Sequence, residues 1–326
     1  MSKKFMRVLL IVSAMLLVST AALNAADVFP IKVVEVVTHS GVGGGGDLIS
    51  RQMIAAGQQF VPQPMVVVNK VGAASNNMAA YLKSGKTDGH TINVSTNNNI
   101  TWYLLKANNM NLLEYLEPIA CMQIEPGCVV VPASSKYKTI EEFIAGYKAG
   151  DVNIAGTEVG CGTWLFTALL SGMQGVDLNY VPFSSGGELT TALIGNHVDG
   201  SFTQISEIMD AVRGGLLRIL AFGMDERVGG EFAEIPTLKE VGVDFVCPTW
   251  RGYFARKGTA PEHIRYWADV LKKAHAEPAF QKWLVETHST LDFMGPEEFR
   301  KMIERDETTA VTLLKNYAPE LLREGY

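Results

Sequence analysis

Four short stretches of the 326-residue chain combine glycine with small hydroxyl or amide side chains. They are Gly41-Val42-Gly43-Gly44-Gly45-Gly46, Gly72-Ala73-Ala74-Ser75-Asn76-Asn77, Gly156-Thr157-Glu158-Val159-Gly160-Cys161-Gly162-Thr163 and Pro182-Phe183-Ser184-Ser185-Gly186-Gly187. Glycine lets a ligand approach the backbone. Each stretch precedes a helical pattern, and the first N–H groups of a helix are unpaired at the positive end of its dipole. The chemistry this arrangement offers is capture of an anion by main-chain N–H groups. Asn97 and Asn98, with Asn99, follow a further strand pattern and are candidates to read the far end of such an anion. Asp47 opens the helix after the first loop and is read as its N-cap, turned inward to accept N–H bonds.

Other chemistries fit less well. Gly41–Gly46 satisfies G-x-G-x-x-G, but a dinucleotide site needs an acid ending the second strand, and Asn69 stands there. Cys161 lies near a helix start, where a thiol gains nucleophilicity, so an exported enzyme using Cys161 is one alternative. The six histidines are scattered, and no G-x-S-x-G, H-E-x-x-H, C-x-x-C or zinc-spaced Cys/His cluster occurs. No catalytic residue, metal or cofactor is therefore expected. Four cysteines allow three full pairings; a local Cys121–Cys128 bridge around Glu125-Pro126-Gly127 is one option if the chain is exported.

Export is the expectation. Lys3, Lys4 and Arg7 precede an apolar run from Leu9 to Ala22, followed by Leu23-Asn24-Ala25-Ala26. This is the layout of a signal peptide at 1–26, cleaved after Ala25 or Ala26 to leave a soluble periplasmic protein. Losing those three cations takes the formal charge from −6 to about −9. An acidic chain without a basic run does not suit nucleic acid or an anionic membrane surface.

The elements that must position the loops alternate in type. Strand patterns at Ile31–Thr38, Met65–Val68 and Thr91–Thr96 interleave with helical patterns at Asp47–Phe60 and Ala73–Lys83. Beyond Pro126 the alternation restarts, with strands near 128–132, 152–155, 178–181, 198–203 and 217–222. After Val246 the chain reads as helical, at 261–274, 279–286 and 296–316. Such alternation predicts an α/β protein of mostly parallel sheets flanked by helices. Roughly 300 mature residues exceed one core. The expected organisation is two lobes, residues 27–122 plus 250–326 and residues 123–249, joined by crossings near 118–127 and 245–256. Ligands of open α/β sheets sit beyond the carboxyl ends of the strands, where all four loops fall.

The chain also resembles the substrate-binding receptors of tripartite tricarboxylate transporters, the TctC or Bug-type family. The resemblance rests on Gly-Gly-Gly-Gly-Asp-Leu-Ile-Ser-Arg at 43–51, Val-Asn-Lys-Val-Gly-Ala at 68–73, Thr-Asp-Gly-His-Thr-Ile at 87–92 and Tyr-Val-Pro-Phe at 180–183. Gly-Asn-His-Val-Asp-Gly at 195–200, Leu-Arg-Ile-Leu-Ala at 217–221, Glu-Ile-Pro-Thr-Leu-Lys-Glu-Val-Gly at 234–242 and Lys-Gly-Thr-Ala-Pro at 257–261 extend it. It implies a two-lobed periplasmic-binding-protein fold that closes on a small carboxylate (a di- or tricarboxylate or an aromatic acid). It further implies a monomer that hands this solute to membrane permease subunits; an extracytoplasmic sensor would share the same site.

Carried onto this sequence, the resemblance points to Ser40, Gly44, Gly45 and Gly46 in the first loop and Ala74, Ser75 and Asn76 in the second. In the third it points to Thr157, Gly160, Cys161 and Thr163, and in the fourth to Phe183 and Gly186. Two departures stand out. Gly41 and Val42 replace prolines usual in the family, which implies a roomier first loop. Thr203 stands where an acid is frequent, which implies one negative charge fewer in the cleft.

Overall fold

The computed structural model describes residues 29–290, 292–317 and 319–326; the leader at 1–26 and its cleavage point lie outside them. Two five-stranded sheets organise the chain. The first contains β1 (Val34–Thr38), β2 (Met65–Asn69), β3 (Thr91–Thr96), β4 (Leu116–Glu125) and β10 (Thr249–Arg256), in the order β2-β1-β3-β10-β4. The second contains β5 (Gly127–Pro132), β6 (Ile154–Gly156), β7 (Tyr180–Pro182), β8 (Gly200–Gln204) and β9 (Leu217–Phe222), in the order β7-β6-β8-β5-β9.

The fold is the expected two-lobed one, but each sheet is mixed and not mostly parallel. β1 pairs in parallel with β2 and β3, whereas β10 runs antiparallel to β3 and β4. β6 pairs in parallel with β7 and β8, whereas β5 runs antiparallel to β8 and β9. The cause is chain direction. The parallel strands end at the cleft; β5 and β10 are the strands by which the chain enters a lobe from that side, so they must point away from it. β10 also corrects the helical reading after Val246. Trp250, Tyr253 and Phe254 are buried on the two faces of a central strand, a pattern that local periodicity over eight residues did not distinguish.

Both faces of both sheets are covered. In β1, Val36 belongs to one core cluster with Met53, Trp267 and Leu271, and its neighbour Val37 to another with Phe254, Phe299 and Ile303. In β5, Val129 and Val130 divide in the same way. Successive side chains of a strand face opposite sides, so burial on both sides gives the unbroken apolar runs seen in the sequence.

The helices of the strand-end loops are α1 (Gly45–Gly57), α2 (Asn76–Ser84), α3 (Asn98–Leu104), α6 (Gly162–Gln174), α7 (Gly186–Ile194) and α8 (Ile205–Arg213); α4 (Leu112–Tyr115) and α5 (Ile140–Lys148) contribute no residue to the site described below. α9 (Pro261–Ala276), α10 (Pro278–Glu286) and α11 (Pro296–Tyr317) complete the first lobe's cover. Two short helices, α3 and α4, occupy a stretch that the strand-and-helix pattern had left unassigned. All four cysteines are free; Cys121 lies in β4 and Cys128 in β5, so the local bridge is not formed. Among the described residues no helix is long and apolar enough to cross a membrane.

Candidate functional site

A cavity of about 60 Å³ lies between the two sheets, where the strand-end loops of both lobes meet. The first lobe contributes His39, Ser40, Gly41 and Gly44 after β1, Asn98 and Trp102 from α3, and Thr249 and Arg251 from β10. The second contributes Thr157, Glu158, Cys161, Gly162 and Thr163 around the start of α6, Ser184, Ser185, Gly186 and Leu189 around the start of α7, and Thr203, Gln204 and Glu207 around the start of α8.

Of the residues expected at the site, Ser40, Gly44, Asn98, Thr157, Cys161, Thr163, Gly186 and Thr203 line this cavity. The others stand behind it. Gly46 donates its N–H to Ser40 Oγ at 3.2 Å, which holds the first loop in shape. Asn97 is the N-cap of α3, and its side chain donates to the Pro248 carbonyl at 3.0 Å; Asn97 and Asn98 thus belong to a helix start. Asn76 is spent on the Ala73 and Ala107 carbonyls, at 2.7 and 3.0 Å. Phe183 packs on the second lobe's core and, with Ala74, borders a wider opening of about 490 Å³ that shares Thr157, Glu158 and Ser184 with the inner cavity.

Ser75 is fully buried, its hydroxyl accepting from Asn99 at 2.8 Å and Asn108 at 3.3 Å. Ala73, Ala74 and Ser75 all adopt left-handed backbone, with φ of 54°, 49° and 67°. Each such residue costs on the order of 1 kcal/mol or more, and the two asparagines on Ser75 help to hold the run. Gly160 also has positive φ, 84°, and meets α3: a Cβ there would lie 3.0 Å from Leu105 and 3.1 Å from Trp102.

The first loop's helix start is already occupied. Gly45 donates its N–H at 2.7 Å to Glu207, a side chain of the other lobe. Glu207 also accepts from Thr203 Oγ1 at 3.2 Å and lies 3.6 Å from Arg251 Nη2. Arg251 is ion-paired to Glu125 and donates to Gln123 Oε1 at 3.3 Å. The second loop shows the same arrangement, with Ala74 donating its N–H at 3.2 Å to Glu158 of the other lobe. Burial raises the carboxyl pKa of Glu207, opposed by the Gly45 and Thr203 bonds, and raises that of Glu158, opposed by Ala74. The acid that Thr203 was expected to remove is thus present one helical turn later, as the Glu207 carboxyl.

Two further expectations change. α1 begins two residues before Asp47, so Gly44 is its N-cap, and Asp47 reaches back as the third helical residue to accept the Gly43 N–H at 3.1 Å. Burial works against its charge, but Arg51, Asn69 and the Gly43 N–H outweigh this and hold its pKa below the usual carboxyl value. The first loop is also not roomier. A Cβ on Gly41 would come within 2.7 Å of Ser185 Cβ, and one on Gly187 within 2.8 Å of the Val42 carbonyl, so the fourth loop fills the space.

Sequence reasoning missed His39, Trp102, Glu125, Glu158, Glu207 and Arg251. One signal was present: Trp250-Arg251-Gly252-Tyr253-Phe254 places a cation inside an aromatic run, which is unusual unless the charge is paired. Burial lowers the His39 pKa to about 4, with a further contribution from the Arg251 charge. The ring is neutral at pH 7.

Two sheets facing a cleft into which strand ends and helix starts open define a periplasmic-type solute-binding protein. The tripartite tricarboxylate transporter family receptor (TctC) profile matches residues 49–317, and the chain belongs to that family. It is 28% identical over 299 residues to the protein in the gbd 5′ region of Cupriavidus necator, covering 88% of each chain. Among solved structures it resembles the periplasmic binding protein BugD, with a TM-score of 0.82 and 21% identity over 88% of this chain and 98% of that one. It also resembles MatC of Rhodopseudomonas palustris with bound malate, with a TM-score of 0.77 and 23% identity over 86% and 98%.

Proposed function

We propose that this protein is a periplasmic receptor that captures a small carboxylate between its lobes and delivers it to the permease subunits of a tripartite-type transporter. The observation that carries this reading is the meeting of two helix starts on one cavity. Gly162 opens α6 and Gly186 opens α7, and both line the space opposite Ser40 and Trp102. Their first N–H groups have no intrahelical acceptor, and both dipoles favour negative charge there. Family membership supports a transport role, and the malate bound by MatC supports a carboxylate as cargo.

On this reading the chain is exported with its leader removed after Ala25 or Ala26 and works as a monomer. The lobes comprise residues 27–122 plus 250–326 and residues 123–249. They hinge where β4 passes into β5 and where the chain returns into β10. The ligand binds one lobe first and stabilises the closed state by contacts to both.

Thermal unfolding of the purified protein against mono-, di- and tricarboxylates, aromatic acids, amino acids and NAD tests the proposal. Ligand at about a thousand times its Kd adds roughly 4 kcal/mol, enough to raise Tm by several degrees. A rise with at least one carboxylate is expected. Rises with NAD alone, or with none of the acids, would overturn it.

A further inference from the structure

The cavity wall is uneven in charge. Glu158 and Glu207 line it, and Glu125 stands behind Arg251; Glu125 and Glu207 share the one guanidinium, while the Glu158 carboxylate accepts, among the described residues, only from the Ala74 N–H. Arg251 is the one cation among the described lining residues; it is shared by Glu125 and Glu207, and its Nε is left without a partner. Glu207 is surrounded by donors, namely the Gly45 N–H, the Thr203 hydroxyl and Arg251, which suit its ionised form. A ligand carrying two negative charges would bring the second one among acids that already outnumber the one cation beside them.

The opposite wall offers donors without charge. Trp102 is 1% exposed, lines the cavity, and its indole N–H is buried without an acceptor. An indole N–H can only donate, and a buried donor left unpaired is costly. His39 Nδ1 is likewise buried without a partner, and the His39 ring meets Trp102 edge-on at 5.3 Å. The pyrrole edge of Trp102 faces Gly160 of the other lobe, where a Cβ would fall 3.7 Å from Nε1.

We propose that the cavity selects a small monocarboxylate whose second polar group is an uncharged hydrogen-bond acceptor. The carboxylate sits at the start of α6, the acceptor takes the Trp102 indole N–H, and Glu158 together with Glu207, whose carboxylate already lies against Gly186 at the start of α7, turns away a second carboxylate. This inference rests on the carboxylate-receptor reading and narrows it.

Isothermal titration of the purified protein with matched acid pairs tests it: oxalate and oxamate, malonate and malonamate, succinate and succinamate, adipate and adipamate, with malate as a further diacid. Within each pair one carboxylate is replaced by a neutral amide of similar shape. In the pair that binds best, the half-amide binds at least about tenfold tighter than the diacid. Trp102→Phe lowers the advantage of that half-amide over the plain monocarboxylate of equal length by about tenfold, the scale of one lost hydrogen bond. Glu158→Gln narrows the preference of half-amide over diacid. A diacid that binds as well as or better than its half-amide overturns the inference while leaving the receptor reading in place, and so does malate binding alone. An unchanged half-amide advantage in Trp102→Phe also overturns it. Binding of no acid in the series overturns the inference, and the wider carboxylate screen by thermal unfolding then decides the receptor reading separately.

Discussion

Glu207 and Gly45, 162 positions apart, are joined across the cleft by a 2.7 Å hydrogen bond in which a side-chain carboxylate sits on a helix start. A protein expected to bind anions at that helix start thus holds one of its own there. The neighbouring Arg251 ties the contact to Glu125, at the strand where the chain leaves the first lobe. The contact between the lobes and the end of the strand that leaves the first lobe therefore belong to one network.

Removing the cation from this network should be expensive. Arg251 is 2% exposed and Glu125 fully buried. Arg251→Met leaves two carboxylates facing each other, and breaking a buried ion pair from one side costs about 3–5 kcal/mol. Urea unfolding should show a loss of that size, partly recovered in the Glu125→Gln/Arg251→Met double variant. A loss below about 1 kcal/mol would mean that the network contributes little.

The contact between the lobes leaves no room for a side chain at Gly41. Gly41 is not in the left-handed region, so its backbone accepts a larger residue, but a Cβ would press on Ser185 of the other lobe. Gly41→Val should therefore hold the lobes apart with little change in Tm. Small-angle scattering should report a larger radius of gyration, and ligand affinity should fall by about tenfold or more. An unchanged radius of gyration would place the lobe contact elsewhere.

His39 links stability to acid. Its pKa falls from 6.5 to about 4 in the folded protein, so the unfolded chain takes up a proton that the folded one refuses. The stabilising contribution is complete above pH 6.5 and is lost as pH falls through about 4, amounting to roughly 3 kcal/mol by linkage. His39→Asn should flatten the fall in stability between pH 6.5 and 4 in denaturation series. An identical slope in the variant would show that other groups carry it.

The thiols report on the core. Burial pushes the Cys121 thiol up to about 12 and the Cys128 thiol higher still, and both are almost fully buried. A thiol-disulfide reagent at pH 8 should leave these two unmodified in the folded protein and label all four cysteines after denaturation. Rapid native labelling of Cys121 or Cys128, located by peptide mass spectrometry, would contradict this.

Much of the architecture was legible because it depends on local periodicity. β3 and β9 occupy the segments their β-branched runs mark, Thr91–Thr96 and Leu217–Phe222, and α6 and α7 start where the glycine-rich loops end. The strand Thr249–Arg256 was not legible, because an aromatic run with an arginine and a glycine has no clear period. Its place between β3 and β4 follows from long-range pairing.

The site divides along the same line. Sequence alone determined which loops reach the cleft, since glycine, serine and threonine before a helix mark free N–H groups wherever the helix lies. It also determined that family motifs run through the chain. Only the tertiary structure decided what those N–H groups meet. Glu207 comes to Gly45, Glu158 to Ala74, and Arg251 to both Glu125 and Glu207 through contacts between residues 44 to 162 positions apart. Such contacts are fixed by how two separately wound sheets face one another, and no property of a local stretch encodes the charge that will arrive from the other side.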